Sequence, residues 1–317
     1  MKKFCFLFLI IISTKYTVAQ DIAIGQWKGH LSYRNGISVA QGNGKAYCLT
    51  TGGIIVFNSS DNSMEHLSRQ NGLSDVEPTT LNFNGNNNKL LVAYKNSNID
   101  IIESNNNIVN MLDIKLQPSR GSKTVNDIYF INQYAYLSCA FGIVVIDMNQ
   151  YVVKDTYIIG PLGSTINVRS LTSDANYFYA ATDSGVYKAS INAPDLANYA
   201  EWSLMPGLPK GIYNSITSLN SKVYTNFSKY LLNGTKQQDT TYVYNGTWNH
   251  FGSTHNVVYS LSSSSTNLAI TYDSAISIYD ANQTLINKYT DYFGKIAQPK
   301  RTLFGSDNSL WIADYNF

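Results

Sequence analysis

A short pattern of alternating apolar and polar residues returns along the chain at a nearly constant spacing. Each copy starts at a turn residue that is followed by a short apolar strand, and the copies start at Gly53, Asn98, Gly142, Gly185 and Ala275. The first four are 45, 44 and 43 residues apart and the last follows after 90, so a degenerate copy is expected near Tyr230 and another just past Phe317. Strand-forming repeats with a period in the low forties are typical of β-propellers, in which each repeat is a four-stranded blade.

The third repeat shows the internal plan of a blade. Apolar and polar residues alternate over 125–131, 134–140, 143–148 and 151–158, and turn residues separate these four runs. Asn, Gly, Asp and Ser between runs rich in Val, Ile and Tyr indicate hairpins. The alternatives are a β-solenoid, whose repeats are shorter, and a β-sandwich, which lacks a fixed period. The pattern predicts an all-β fold, a seven-bladed β-propeller whose seventh blade is truncated at the C-terminus.

The N-terminus has the features of an export signal. Lys2 and Lys3 precede the apolar run 4–12, and small residues at 17–19 suit cleavage before Gln20. The apolar run is too short to span a bilayer, which takes about 20 residues. We therefore expect a signal peptide over 1–19, a propeller over 20–317 and no transmembrane segment.

Composition favours an exported scaffold. Charged residues make up 14% of the chain, against about 25% in an average globular protein. The net charge of +2 and the absence of a run of Lys or Arg give no indication of nucleic-acid binding. Cys48 and Cys139 fall in the first and third repeats, which do not touch in a seven-membered ring, so both are expected as buried strand residues and not as a disulfide.

No catalytic motif is present in the sequence. It lacks a Gly-x-Ser-x-Gly elbow, a His-Glu-x-x-His motif, a phosphate-binding glycine loop and a Cys-x-x-Cys pair. His250 and His255 flank a short loop, but a metal site would need further ligands that the sequence does not provide nearby. The recurring acids Asp127, Asp147 and Asp280 are explained by blade geometry. We expect no enzyme activity, no metal and no cofactor.

Basic residues cluster in the predicted links between blades. In a propeller these links open on one face, and a basic ring there would suit anionic sugars or an acidic patch of a partner protein. The simpler explanation is that loops tolerate charge. The candidate residues are Arg120, Lys123, Lys210, Lys300 and Arg301.

Three segments carry a family resemblance. The opening 24–33, with its Trp-x-x-x-Leu-Ser-Tyr motif, resembles the start of the PorZ family of the type IX secretion system of Bacteroidota. The segments 69–75 and 307–314 resemble the Asn-Gly-Leu-Ser and Leu-Trp-Ile-Gly motifs of the two-component-regulator propeller repeat. The resemblance extends over the leader and the mature chain as the first of the two propellers in that family.

The resemblance implies a non-catalytic scaffold that is exported through the periplasm to the cell surface and associates with the outer membrane. Its implied partners are a PorU-type sortase and the other attachment-complex proteins, and it would help to present anionic lipopolysaccharide to the sortase for attachment to cargo proteins. The second propeller and the C-terminal domain of the family are absent from this sequence. We expect residues 22–33 to pair with the strand around 310–313 and so to complete the ring.

Two functions from other classes stay open. One is the extracellular, glycan-sensing propeller of a hybrid two-component regulator, which would continue into a membrane span and a histidine kinase. The other is a free-standing carbohydrate-binding lectin. The opening motif favours the PorZ family.

Overall fold

The computed structural model describes residues 31–118, 121–230, 234–253, 257–290 and 298–315. Within these residues, strands follow one another in antiparallel sheets whose spatial order is the order along the chain. The first three sheets consist of β1 (Gly36–Gly42), β2 (Lys45–Thr50), β3 (Gly53–Asn58) and β4 (Ser63–Leu67); β5 (Pro78–Asn84), β6 (Lys89–Tyr94), β7 (Ile99–Ile102) and β8 (Ile108–Met111); and β9 (Val125–Ile131), β10 (Tyr134–Cys139), β11 (Gly142–Asp147) and β12 (Val152–Tyr157).

Three more four-stranded sheets and a two-stranded sheet complete the set. They consist of β13 (Val168–Ser173), β14 (Tyr177–Thr182), β15 (Gly185–Ser190) and β16 (Ser203–Leu204); β17 (Ile212–Leu219), β18 (Lys222–Ser228), β19 (Thr240–Tyr244) and β20 (Trp248–His250); β21 (Val258–Ser263), β22 (Asn267–Tyr272), β23 (Ile276–Asp280) and β24 (Leu285–Tyr289); and β25 (Pro299–Phe304) with β26 (Leu310–Asp314). One short helix, α1 (Asp113–Leu116), and three 3-10 turns, Arg69–Asn71, Pro161–Gly163 and Tyr199–Glu201, lie in the described links.

The first strands of the sheets form a ring. β1 contacts β5, β5 contacts β9, and so on through β13, β17, β21 and β25, which contacts β1 again. The prediction of an all-β propeller is therefore confirmed. The predicted count is corrected: the described residues form six four-stranded blades, and the sheet β25–β26 stands between the sixth blade and the first.

The core is divided into separate apolar layers between neighbouring sheets. Each layer combines the facing side chains of two successive sheets, because alternating strand residues point to opposite faces. Cys139 is fully buried in the layer between the second and third blades, and Cys48 is half-buried. Both thiols are free, and Cys48 is less buried than the sequence predicts.

The alternating pattern located most strands. The four runs of the third repeat correspond to β9–β12 within two residues at each end. The prediction of a degenerate repeat near Tyr230 was wrong. The third strand of the fifth blade, β19, begins only at Thr240. A longer connection with an isolated bridge between Tyr230 and Lys236 precedes it and displaces the repeat along the sequence.

The contact between β25–β26 and the first blade closes the ring. The Trp311 ring lies 6.0 Å from that of Phe57, and the Ser306 backbone N–H donates to Gln41 Oε1 at 3.0 Å. The predicted pairing of residues 22–33 with β26 falls mostly outside the described residues. Tyr33, near the end of that segment, packs on the first blade with its ring 4.2 Å from that of His66.

Candidate functional site: the axial channel

A β-bulge near the start of every innermost strand shapes one mouth of the channel. In six of the seven strands the register with the second strand shifts immediately after the first residue pair, and in β17 it shifts after the second pair, between Tyr213 and Ile216. A bulge re-aims a side chain, and these residues all line the axial cavity. We call them the bulge ring: Ile37, Thr79, Asn126, Arg169, Asn214, Tyr259 and Lys300.

The next residue on each strand forms a second ring one step deeper, the hydroxyl ring. Five of its members are Ser or Thr, and the other two carry opposite charges. Its members are Ser38, Thr80, Asp127, Ser170, Ser215, Ser260 and Arg301. Equivalent positions in successive sheets thus place small hydroxyls around the axis, with one acid and one base.

Asp127 and Arg301 contact each other across the ring. Asp127 lies on β9 and Arg301 on β25, and the first two blades lie between their sheets. Arg301 Nη2 donates to Asp127 Oδ1 at 2.6 Å, and Ser170 Oγ donates to Asp127 Oδ2 at 2.8 Å. The Asp127 side chain is 12% exposed and that of Arg301 is 29% exposed. Charge-assisted hydrogen bonds of this length are stronger than neutral ones, so the pair links the third sheet to β25 across the channel.

The cavity inside the rings has a volume of about 420 Å³ and is mostly polar. Arg169, at its mouth, donates from Nε to Asp183 Oδ1. Lys300 lies over the Tyr259 ring, with its Nζ 3.7 Å from the ring centroid. An adjoining cavity adds Tyr230 and Lys236 beside Arg169. Lys236 is paired with buried Asp239, so its charge is already compensated.

The five basic residues selected from the sequence have different surroundings. Lys300 and Arg301 both line the axial cavity. Lys123 Nζ donates to the carbonyl oxygens of Ile114, Lys115 and Gln117 at 2.9, 2.6 and 2.8 Å, and so holds the end of α1. Lys210 is exposed in the link that precedes β17. Arg120 lies outside the described residues.

Sequence reasoning missed Arg169 and the pairing of Arg301 with Asp127. Aligning the first strands would have given the signal, because Asp127 and Arg301 are the two charged exceptions at a position that is otherwise Ser or Thr. Asp147 and Asp280 are turn residues: Asp147 Oδ1 accepts from the Asn149 N–H at 2.9 Å, and Asp280 Oδ1 accepts from the Asn282 N–H at 2.9 Å.

Neither a metal cluster nor a membrane-spanning helix occurs in the described part of the chain. No group of three or more His, Cys, Asp or Glu side chains there is placed to hold a metal ion. No helix among those residues has the length and apolar character needed to cross a bilayer. His250 packs edge-on against the Tyr242 ring at 4.8 Å, and His255 is outside the described residues.

A closed ring of antiparallel sheets around a polar channel defines a β-propeller protein. Residues 46–203 match the family described as the N-terminal β-propeller domain of PorZ of the type IX secretion system. Over this segment the chain belongs to the PorZ N-terminal β-propeller family, as the resemblance of its motifs predicts. No curated protein sequence gives a significant match.

Solved structures share the fold. PorZ of Porphyromonas gingivalis, described as an essential bacterial surface component of the type IX secretion system, aligns with a TM-score of 0.73 at 16% identity. That alignment covers 89% of this chain and 36% of the PorZ chain, so the chain spans about a third of its length. A chain of the mitotic checkpoint complex aligns with a TM-score of 0.63 at 12% identity, covering 94% of this chain and 96% of that one. The computationally designed protein Ika8 aligns with a TM-score of 0.57 at 11% identity, covering 90% of this chain and 98% of the Ika8 chain.

Proposed function

We propose that the protein is a non-catalytic surface component of the type IX secretion system that helps a PorU-type sortase attach cargo to anionic lipopolysaccharide. The observation that carries this proposal is the family match over residues 46–203. The axial channel supports a binding role, because it is a polar cavity whose charged residues are paired or stacked and whose lining carries several hydroxyl groups.

Deletion of the gene in its own host tests this role. We expect cargo proteins to lose their lipopolysaccharide attachment, visible as loss of the high-mass surface forms on immunoblots of outer-membrane fractions. Complementation with the intact gene should restore them. Unchanged cargo processing in the deletion strain, or a changed transcriptional response to glycans with normal cargo, would contradict the proposal and favour a sensor.

The finer architecture belongs to the same proposal. Residues 1–19 would be removed as a signal peptide, so the exported protein should begin at Gln20 when its N-terminus is sequenced. Retention of residues 1–19 in the outer-membrane fraction would contradict the export prediction.

The face at the channel mouth is the proposed surface for anionic lipopolysaccharide. Lys210 is exposed in the link before β17, and Lys300 and Arg301 line the channel, whereas the Lys123 ammonium is occupied by three carbonyls. Attraction between exposed charges is screened by salt. Binding to lipopolysaccharide vesicles should therefore weaken with added salt and in the Lys210→Gln variant. Lys154→Gln is the matched control, because Lys154 lies on the outermost strand β12, where it stacks on the Tyr134 ring.

A further inference from the structure

Among the residues that the structure describes, three hydroxyl groups of the hydroxyl ring find no hydrogen-bond partner. Ser38, Thr80 and Ser260 are 2%, 2% and 8% exposed, and their side-chain oxygens are buried and unpaired. The other two hydroxyls in the ring are satisfied: Ser170 donates to Asp127, and Ser215 Oγ accepts from the Leu261 N–H at 3.0 Å. A buried polar group without a partner costs about 1–3 kcal/mol, so three together on one wall of a cavity call for a partner that the chain does not supply.

The three unpaired hydroxyls flank Arg301. They are carried by β21, β1 and β5, and β25 with Arg301 lies between β21 and β1 in the ring of contacts. Four consecutive innermost strands thus bring three hydroxyls to the side of the channel that also carries the Arg301 guanidinium.

The charges in the two rings favour an anion. The bulge ring and the hydroxyl ring hold three bases, Arg169, Lys300 and Arg301, and one acid, Asp127, which gives an excess of +2. Including Asp183, the partner of Arg169, lowers the excess to +1. In the described part of the chain, no carboxylate lies within 4 Å of the Lys300 ammonium, which stacks on Tyr259.

We propose that the axial channel binds a small molecule with a carboxylate or phosphate group, held by Lys300, Arg301 and the hydroxyls of Ser260, Ser38 and Thr80. Hydroxyls donate to an oxyanion, and the basic side chains balance its charge. A cavity of about 420 Å³ is within the range of small-molecule pockets. The site shares Lys300 and Arg301 with the proposed lipopolysaccharide face but lies within the two rings, and it rests on the channel lining alone.

Calorimetric titration of the purified protein at fixed ionic strength tests the site with three probes: glucuronate, inorganic phosphate and glucose. We expect glucuronate or phosphate to bind at one site per chain and glucose to show no binding. Hydrogen bonds to a charged group contribute about 1.5–3 kcal/mol, so Ser260→Ala and Lys300→Gln should each weaken binding about tenfold or more. Lys154→Gln, on the outermost strand β12 and outside the channel lining, is the matched control and should keep the wild-type affinity.

Ser260→Ala keeps the test decisive if Lys300→Gln folds poorly. It removes a hydroxyl that has no protein partner, so the melting temperature should stay unchanged or rise while affinity falls. The inference is overturned if no anionic probe binds, if glucose binds as well as glucuronate, or if Ser260→Ala binds like the wild type, since the hydroxyls would then hold only water. None of these results bears on cargo attachment, which is scored separately in cells.

Discussion

Asp75, in the link between the first two blades, shows how one side chain of the Asn-Gly-Leu-Ser segment fixes neighbouring elements. Its Oδ2 accepts from Lys115 Nζ on α1 at 2.8 Å and from Asn96 Nδ2 in the β6–β7 turn at 2.6 Å. Burial raises the pKa of Asp75, but the hydrogen bonds from Lys115, Asn96 and the Val76 N–H outweigh it and hold the pKa well below its usual value. The segment therefore has a structural role that accounts for its residues without a ligand.

Asp75→Asn should lower the free energy of unfolding at pH 7 by about 1–3 kcal/mol, because hydrogen bonds to a charged group are lost. The pKa of Asp75 is lower in the folded state than the value of about 3.9 in unfolded chains. Its contribution is thus complete above about pH 4 and is lost as the pH falls toward the folded-state pKa. Urea unfolding at pH 7 and pH 3 should show a smaller difference between wild type and variant at pH 3.

Asp61→Asn is the control, since Asp61 is exposed and its carboxylate bonds locally to Ser63, whose backbone N–H donates to Oδ1 at 3.0 Å. It should leave the unfolding curve close to that of the wild type at both pH values. An Asp75→Asn effect of the same size at pH 3 and pH 7 would show that the carboxylate charge is not what stabilises the link.

At the scale of the element, the sequence predicted strands well and bulges not at all. A turn residue precedes the third strand in the repeated pattern. At position 142 this residue is glycine for a steric reason, because its φ is 151° and an added Cβ would collide with the Tyr157 carbonyl oxygen. The bulges depend on how seven first strands crowd around the axis, which is a property of the ring and leaves no local pattern. For that reason Arg169 could not be placed in the channel from its own segment.

Gly142→Ala should destabilise the protein by about 1–3 kcal/mol, because the left-handed backbone and the collision with Tyr157 add together. Gly85→Ala is the matched control: nothing lies within 4 Å of an added Cβ there, and its φ is outside the left-handed region. Thermal unfolding of both variants checks this. Equal melting temperatures for the two variants would contradict the steric role of the repeated turn residue.

At the scale of the whole molecule, tyrosines connect the blade interfaces. Tyr213 and Tyr272 are almost completely buried, and burial raises the pKa of both phenols above the usual value of 10.0. Burial also raises the pKa of Tyr157 between the third and fourth blades. Because the neutral phenol is the form that packs, this stabilisation is complete below about pH 10 and is lost as the pH rises further.

An alkaline titration followed at 295 nm and by far-ultraviolet circular dichroism should therefore show the buried phenols ionising together with loss of the β-sheet signal. Ionisation of nearly all phenols near pH 10 in a folded protein would contradict the burial of these residues between blades.

Closure of the ring is the property that the sequence could least define. The repeat predicts blades one at a time, whereas Asp127 and Arg301 are 174 positions apart along the chain and meet only if the sheets curve into a circle. The predicted number of blades was wrong at the point where the ring closes, since β25 and β26 form only a two-stranded sheet beside the first blade.

A double-mutant cycle with Asp127→Asn, Arg301→Gln and the combined variant measures this closure most directly. The account predicts a coupling free energy of about 1–3 kcal/mol in unfolding experiments, with the combined variant losing less stability than the sum of the single variants, because contacting charged groups are not additive. Additive effects, with a coupling near zero, would mean that the two side chains do not meet across the channel and would contradict the closed ring.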